Sequence, residues 1–183
     1  MSIGLSSLRN GLYTVIKSLA GAMPVVWMNQ NSPRPAKPYI SLFLSGIQRA
    51  GEDSYSLVDA LTGNMTVTGN REFDLSVNIY GTGANALLCD LVDNIHKISV
   101  LEALRVYGIA LVDVGTVNDL SEVLDSRFEE RAVVDLRMRV GSSVSEVVDR
   151  IETVAITHKI IDEGLDVITL NPNTLTITVA PPI

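Results

Sequence analysis

One cysteine, two histidines and few aromatic residues stand in this chain, and each scarcity removes a class of protein. Cys89 alone cannot build an internal disulfide framework and fits a reducing compartment. In that context Asn64-Met65-Thr66 matches the glycosylation sequon by coincidence. His158 stands alone, and no grouping of Cys, His and carboxylates has metal-ligand spacing, so no metal and no cofactor are assigned. No segment offers the roughly 20 uninterrupted apolar residues of a membrane span, and the first residues lack the basic-then-apolar layout of a signal peptide. The chain is expected to be made in the cytosol, with no membrane partner.

Aromatics at 5% beside 46% hydrophobic residues mean that Val, Leu and Ile must build the core. A length of 183 residues suits one domain with a small appendage. The apolar surplus, a mean hydropathy of +0.28, points to buried contacts between subunits. Acids are missing from residues 1 to 51, which hold Arg9, Lys17, Arg34, Lys37 and Arg49, a balance of +5. The other 132 residues carry nine bases against 21 acids, or −12. Such opposed ends suit head-to-tail contacts between copies, although charges scattered over a solvated surface would look the same.

Pro33, Pro35 and Pro38 fix a stiff, non-helical approach to a β-prone strand that begins at Tyr39. Before them, Leu8, Leu12, Val15, Ile16 and Leu19 keep one-face helical spacing, with Ser6 or Ser7 as cap and Gly21 as stop. Strands are expected over Pro24 to Met28 and Tyr39 to Arg49, then a loop over Gly51 to Gly63. Asn64 to Thr68 and Arg71 to Tyr80 read as a hairpin about Gly69-Asn70. The second of these alternates, with Phe73, Leu75, Val77 and Ile79 on one face and Glu72, Asp74, Ser76 and Asn78 on the other. One wet face implies an antiparallel sheet covered on one side.

A second helix is expected over Ala84 to Ile98, and a strand over Tyr107 to Val114. Arg131 to Val140 alternates most sharply: Ala132, Val134, Leu136, Met138 and Val140 face one way, Arg131, Asp135, Arg137 and Arg139 the other. Fully extended it spans about 33 Å. Gly141-Ser142-Ser143 reads as a turn that sends Val144 to Thr157 back as its partner, a stretch that also satisfies a helical template. A last strand is expected over Thr174 to Val179. The fold class is therefore α+β, a mainly antiparallel, twisted sheet with two helices on one face and a long projecting β-hairpin.

Chemistry is sparse. Gly81-Thr82-Gly83-Ala84-Asn85-Ala86 matches the G-x-G-x-x-A dinucleotide fingerprint, but its strand exposes one face and follows a hairpin, whereas a nucleotide-binding α/β enzyme needs a buried parallel strand. Cys89 and His96 lie two helical turns apart, about 10 Å along the axis, too far for a nucleophile and its base. Glu129 and Glu130 are neighbours that point apart on a strand. Arg131, Arg137 and Arg139 form a basic face interrupted by Asp135 in an acidic chain, which speaks against nucleic-acid binding and for ion pairs across strands or between subunits. Glu146, Arg150 and Glu152 would lie opposite them in the hairpin.

Taken in order, several segments resemble the neck and tail terminator proteins of tailed bacteriophages. They are the N-terminal amphipathic helix, NQNSPRPAKPYISL, REFDLSVNIYGTGANAL, YGIALVDVG with Val117-Asn118-Asp119-Leu120, and RFEERAVVDLRMRV leading to DRIETVAI. The resemblance covers residues 3 to 157 and implies a terminator-like α+β domain over 1–157; residues 158–183, outside the resemblance, are expected to form a C-terminal β extension with the strand over Thr174 to Val179. It also implies a structural virion protein without catalytic residues, a homo-hexameric ring that caps the tail tube. Partners would be the tail tube protein, the sheath protein, and the head connector or neck protein, with genomic DNA passing through the lumen unbound. Arg34, Lys37, Arg131, Asp135, Arg137, Arg139, Glu146, Arg150 and Glu152 are the candidate interface residues. A head-completion or tail-tube protein is the nearest alternative.

Overall fold

The computed structural model describes residues 4–31, 33–59, 62–124, 127–148, 153–157 and 174–178. Helix α1 (Leu5–Ala20) leads into β1 (Val25–Trp27), β2 (Tyr39–Tyr55) and β3 (Asn64–Tyr80). Helices α2 (Ala84–Ile95) and α3 (Ile98–Val106) follow, then β4 (Ile109–Val114) and β5 (Asn118–Asp119). A short hairpin of β6 (Glu122–Leu124) and β7 (Arg127–Glu129) precedes β8 (Arg131–Val147). Strands β9 (Thr153–Thr157) and β10 (Thr174–Thr178) pair antiparallel with each other.

The main sheet has the order β1-β2-β3-β8-β4, with β5 also paired to β8. Strand β1 runs parallel to β2, while the β2–β3, β4–β8 and β5–β8 pairs are antiparallel. The α+β class therefore stands. Alternation decides which face is dry: Phe73, Leu75, Val77 and Ile79 of β3 and Ala132, Val134, Leu136 and Met138 of β8 are all buried. They form one core with Leu8, Leu12, Val15 and Ile16 of α1, Leu88 and Ile95 of α2, and Leu104 of α3.

Among the described residues three helices cover the sheet where two were expected. The predicted second helix ends at Ile95, and Ile98 starts α3 with its side chain 75% exposed rather than closing an apolar arc. Val100 and Leu104, four residues apart, are the buried positions of α3. Gly4, not Ser6 or Ser7, caps α1, and no side chain bonds there.

Two expected turns are strand. Gly69-Asn70 lies inside β3, with Asn70 opposite Ala50, and Gly69 lacks the positive φ that a tight two-residue turn requires. Its lack of a side chain serves packing instead, since a Cβ there would lie 1.8 Å from Asp53 Oδ1. Likewise β8 passes straight through Gly141-Ser142-Ser143 to Val147, and Thr153 to Thr157 pair with β10 instead of returning beside β8; residues 149–152 of the expected return strand lie outside the described residues. Both corrections have one cause: β2 and β3 each continue for 17 residues, and β8 beside them does the same. The long hairpin of the fold is thus β2 with β3, and the expected loop over Gly51 to Gly63 is partly strand. A bulge between Ala50 and Ser54, with Gly51 at φ 76°, takes up the irregularity.

The contacts divide the chain into two compact units, Met1–Tyr55 with Val67–Val144, and Ser56–Thr66 with Ser145–Ile183. In the second, Val148 N–H donates to Gly63 O at 2.9 Å, and Thr66 Oγ1 and Ser145 Oγ share a hydrogen bond of 2.9 Å. The expected boundary at 157/158 adjoins residues 158–173, which lie outside the described residues. Among the described residues no helix is long and apolar enough to cross a membrane.

Candidate functional site

The wet face of β3 and β8 carries most of the sequence-predicted polar residues, and opposite strand directions set them in rungs. Arg139 Nε donates to Glu72 Oε1 at 3.1 Å, and its Nη2 reaches the same oxygen. Arg137 Nε lies 3.5 Å from Asp74 Oδ1. Ser76 Oγ donates to Asp135, and Arg131 Nη2 to Asn78 Oδ1 at 2.9 Å. The Arg131 guanidinium also lies 5.1 Å from the centre of the Tyr80 ring, which stacks on Tyr39 with centroids 5.0 Å apart. Burial pushes the Tyr39 hydroxyl above its ordinary pKa. Among the described residues Ser41 Oγ and Arg131 Nε are buried without a partner.

At the end of β3 the chain turns into α2 through Gly81 and Gly83, at φ 113° and 79°. Both glycines are needed. A Cβ on Gly81 would approach Lys37 Cβ at 2.9 Å, and Gly83 caps α2 in the left-handed region. Gly81 N–H donates to Glu130 O at 2.9 Å, and Gly83 N–H to Glu130 Oε2 at 2.5 Å. Lys37 pairs with Glu129 at 2.8 Å. A carboxylate therefore sits on the helix N-terminus where a nucleotide would place its phosphate, and β3 lies in an antiparallel pair with β2. This corner is a structural junction. Glu129 and Glu130 serve separate partners, as neighbours pointing apart must. Cys89 and His96 are both exposed, and the Cys89 thiol faces Asn85 Oδ1 at 3.9 Å.

A model of the phage neck terminator protein family matches residues 6–163. The chain belongs to that family. No curated protein matches it. Membership makes this terminator a structural protein of the phage neck and tail and a component of the virion.

Within the terminator, the candidate interface residues separate into three groups. Lys37, Arg131, Asp135, Arg137 and Arg139 are engaged inside their own subunit. Arg34 and Glu146 are exposed and make no ion pair among the described residues, whereas Arg150 and Glu152 lie outside those residues.

Sequence reasoning missed the clamp on the long hairpin, where Arg71 Nη1 and Nη2 reach the two Asp53 oxygens at 2.7 and 3.1 Å. The hydrogen bonds from Arg71 hold the Asp53 carboxyl below its ordinary range. No local pattern marked it, because Gly69-Asn70 has the composition of a turn and Asp53 lies 18 residues from Arg71. A cleft of about 650 Å³ between α1 and the far halves of β2, β3 and β8 was also missed; Leu8, Glu52, Gly69, Tyr107 and Ser142 are among its walls.

Proposed function

We propose that six copies of this terminator close into a ring that caps the tail tube, ends tail polymerisation and joins the tail to the head connector, with assembly in the host cytoplasm. Family membership over residues 6–163 carries the reading. Exposed apolar side chains support it: Leu57, Ile98, Val106, Val123 and Phe128 are each more than half exposed in the single chain. The paired rungs on β3 and β8 stiffen each subunit, and Arg34 and Glu146, which make no ion pair among the described residues, face neighbours, the tube protein or a sheath. Six copies at −7 each sum to −42, and an acidic bore would let DNA slide past without binding. The protein performs no catalysis in this role.

Purified protein added to growing tail tubes tests the proposal by imaging of the tube ends. Blunt ends bearing rings and arrested growth are the expected result. Tubes that keep elongating uncapped, together with a monomer at high concentration, would defeat it. Incorporation along the tube length would favour a tail-tube role instead.

A further inference from the structure

The β6–β7 hairpin is apolar where a lone subunit gains nothing from it. Val123 and Phe128 are direct cross-strand partners, and they are 67% and 65% exposed. The base of the hairpin is tied to the sheet. Leu120 N–H donates to Arg131 O at 2.8 Å, and Arg131 N–H donates to Ser121 Oγ at 3.2 Å. Glu122 stands opposite Glu129, a like-charge pair that costs stability. Lys37 neutralises Glu129, but among the described residues Glu122 is exposed and makes no ion pair.

Along the β1 edge of the main sheet lies a cleft of complementary character. Leu5 and Arg9 of α1, Trp27 and Asn29 at the end of β1, and Phe43 of β2 are among its walls. Arg9 lies 4.5 Å over the Trp27 ring, and among the described residues it makes no ion pair. A guanidinium stacked on an indole keeps its edge free for a carboxylate. No acid occurs anywhere in residues 1 to 51 to supply one, whereas residues 119 to 130 hold five acids against one base.

The hairpin lies off the end of β2 and β3, where Glu129 pairs with Lys37 and Phe128 stands near Pro38 and Gly81, whereas the cleft lies along the β1 edge. Leu42, opposite Trp27, is near the start of β2, and Arg131, which follows the hairpin, starts β8. A knob and a socket on different surfaces of one chain make a head-to-tail contact between identical copies, which closes into a ring if the rotation permits.

We infer that the Val123–Phe128 hairpin of one copy seats in the Leu5–Trp27–Phe43 cleft of the next, with Glu122 pairing to Arg9. The inference rests on the ring reading above and names the contact that builds the ring.

A charge swap tests it, read as the fraction of tube ends capped and as oligomer mass. Arg9→Glu and Glu122→Arg singly should weaken ring formation about tenfold or more, and the double variant should recover most of the loss. Phe128→Asp should abolish rings while leaving the far-UV spectrum unchanged. If the wild type forms rings but the single reversals do so equally well, or the double is no better than the singles, the contact is wrong and the terminator reading stands. If the wild type forms no ring on tubes or at high concentration, the ring reading fails and the contact with it. Should Arg9→Glu not fold, a Leu5→Cys, Phe128→Cys pair in a Cys89→Ser background decides. Oxidation should give a ladder of linked subunits, and its absence in capped preparations would refute the contact.

Discussion

Gly11 sits in the middle of α1, where Ala should be better by about 1 kcal/mol, because glycine loses the most backbone freedom in a helix. The structure reverses that expectation. A Cβ on Gly11 would stand 2.5, 2.8 and 2.9 Å from Cγ, Cβ and Cδ1 of Tyr107, the residue that closes α3. These are the root of the side chain, not a free tip, so α1 and α3 must part for the methyl to enter. Overpacking of this kind costs about 1–3 kcal/mol, which outweighs the helix gain in most of that range. Gly11→Ala should therefore destabilise by up to about 2 kcal/mol, a drop in Tm of up to about 8 °C for a chain of this size. The decisive comparison uses a Tyr107→Gly background, which deletes the obstructing atoms. There the same Gly11→Ala change should stabilise, and calorimetry or thermal circular dichroism reads both signs. Stabilisation of equal size in the two backgrounds would refute the steric argument.

Phe73 is 1% exposed at the centre of the core, so Phe73→Ala should cost about 3–5 kcal/mol in denaturant unfolding, and a loss under about 1 would show that the site collapses freely. Asp53 titrates below its ordinary value because Arg71 bonds its charged form, so the pair's contribution is present above about pH 4 and falls away as pH drops through the folded value. Arg71→Met should return the Asp53 midpoint to normal by NMR; an unchanged midpoint would dismiss the clamp as the cause. Glu130→Gln weakens a carboxylate bond to the Gly83 amide at the start of α2 and should cost about 1 kcal/mol, with ATP or NAD causing no thermal shift before or after the change. A shift with either nucleotide that Gly83→Val removes would overturn the junction reading.

Alternation was the signal that carried furthest from sequence to structure. Phe73 to Ile79 and Ala132 to Met138 follow period two without a break, and every inward position is buried, because a one-residue slip would have put the whole set into water. Turn chemistry carried less. Gly69-Asn70 and Gly141-Ser142-Ser143 have turn composition, yet what glycine and serine do depends on whether a strand lies alongside, and β2, β3 and β8 continue past both. Helix α3 was hidden because Ile98 extended the apolar arc of α2 by spacing alone, whereas the break at His96 and Lys97 turns it outward. Contacts between residues 18 to 67 positions apart, such as Asp53 with Arg71 and Glu72 with Arg139, had no local signature at all.

The charge pattern shows how structure redistributes what composition implies. Five bases before residue 52 and an acidic remainder point to attraction between copies, and the natural candidates were the alternating arginines of β8. The fold uses most of those arginines at home, each against a β3 side chain, in exposed pairs worth only about 0–1 kcal/mol apiece. A residue already paired gains little by changing partner, so the attraction between copies must come from charges the fold leaves over. Arg9 on Trp27 and Glu122 on the β6–β7 hairpin are such charges, and both lie beside exposed or half-buried apolar groups. Apolar burial would then supply most of the association, and the ion pair would fix which surface meets which.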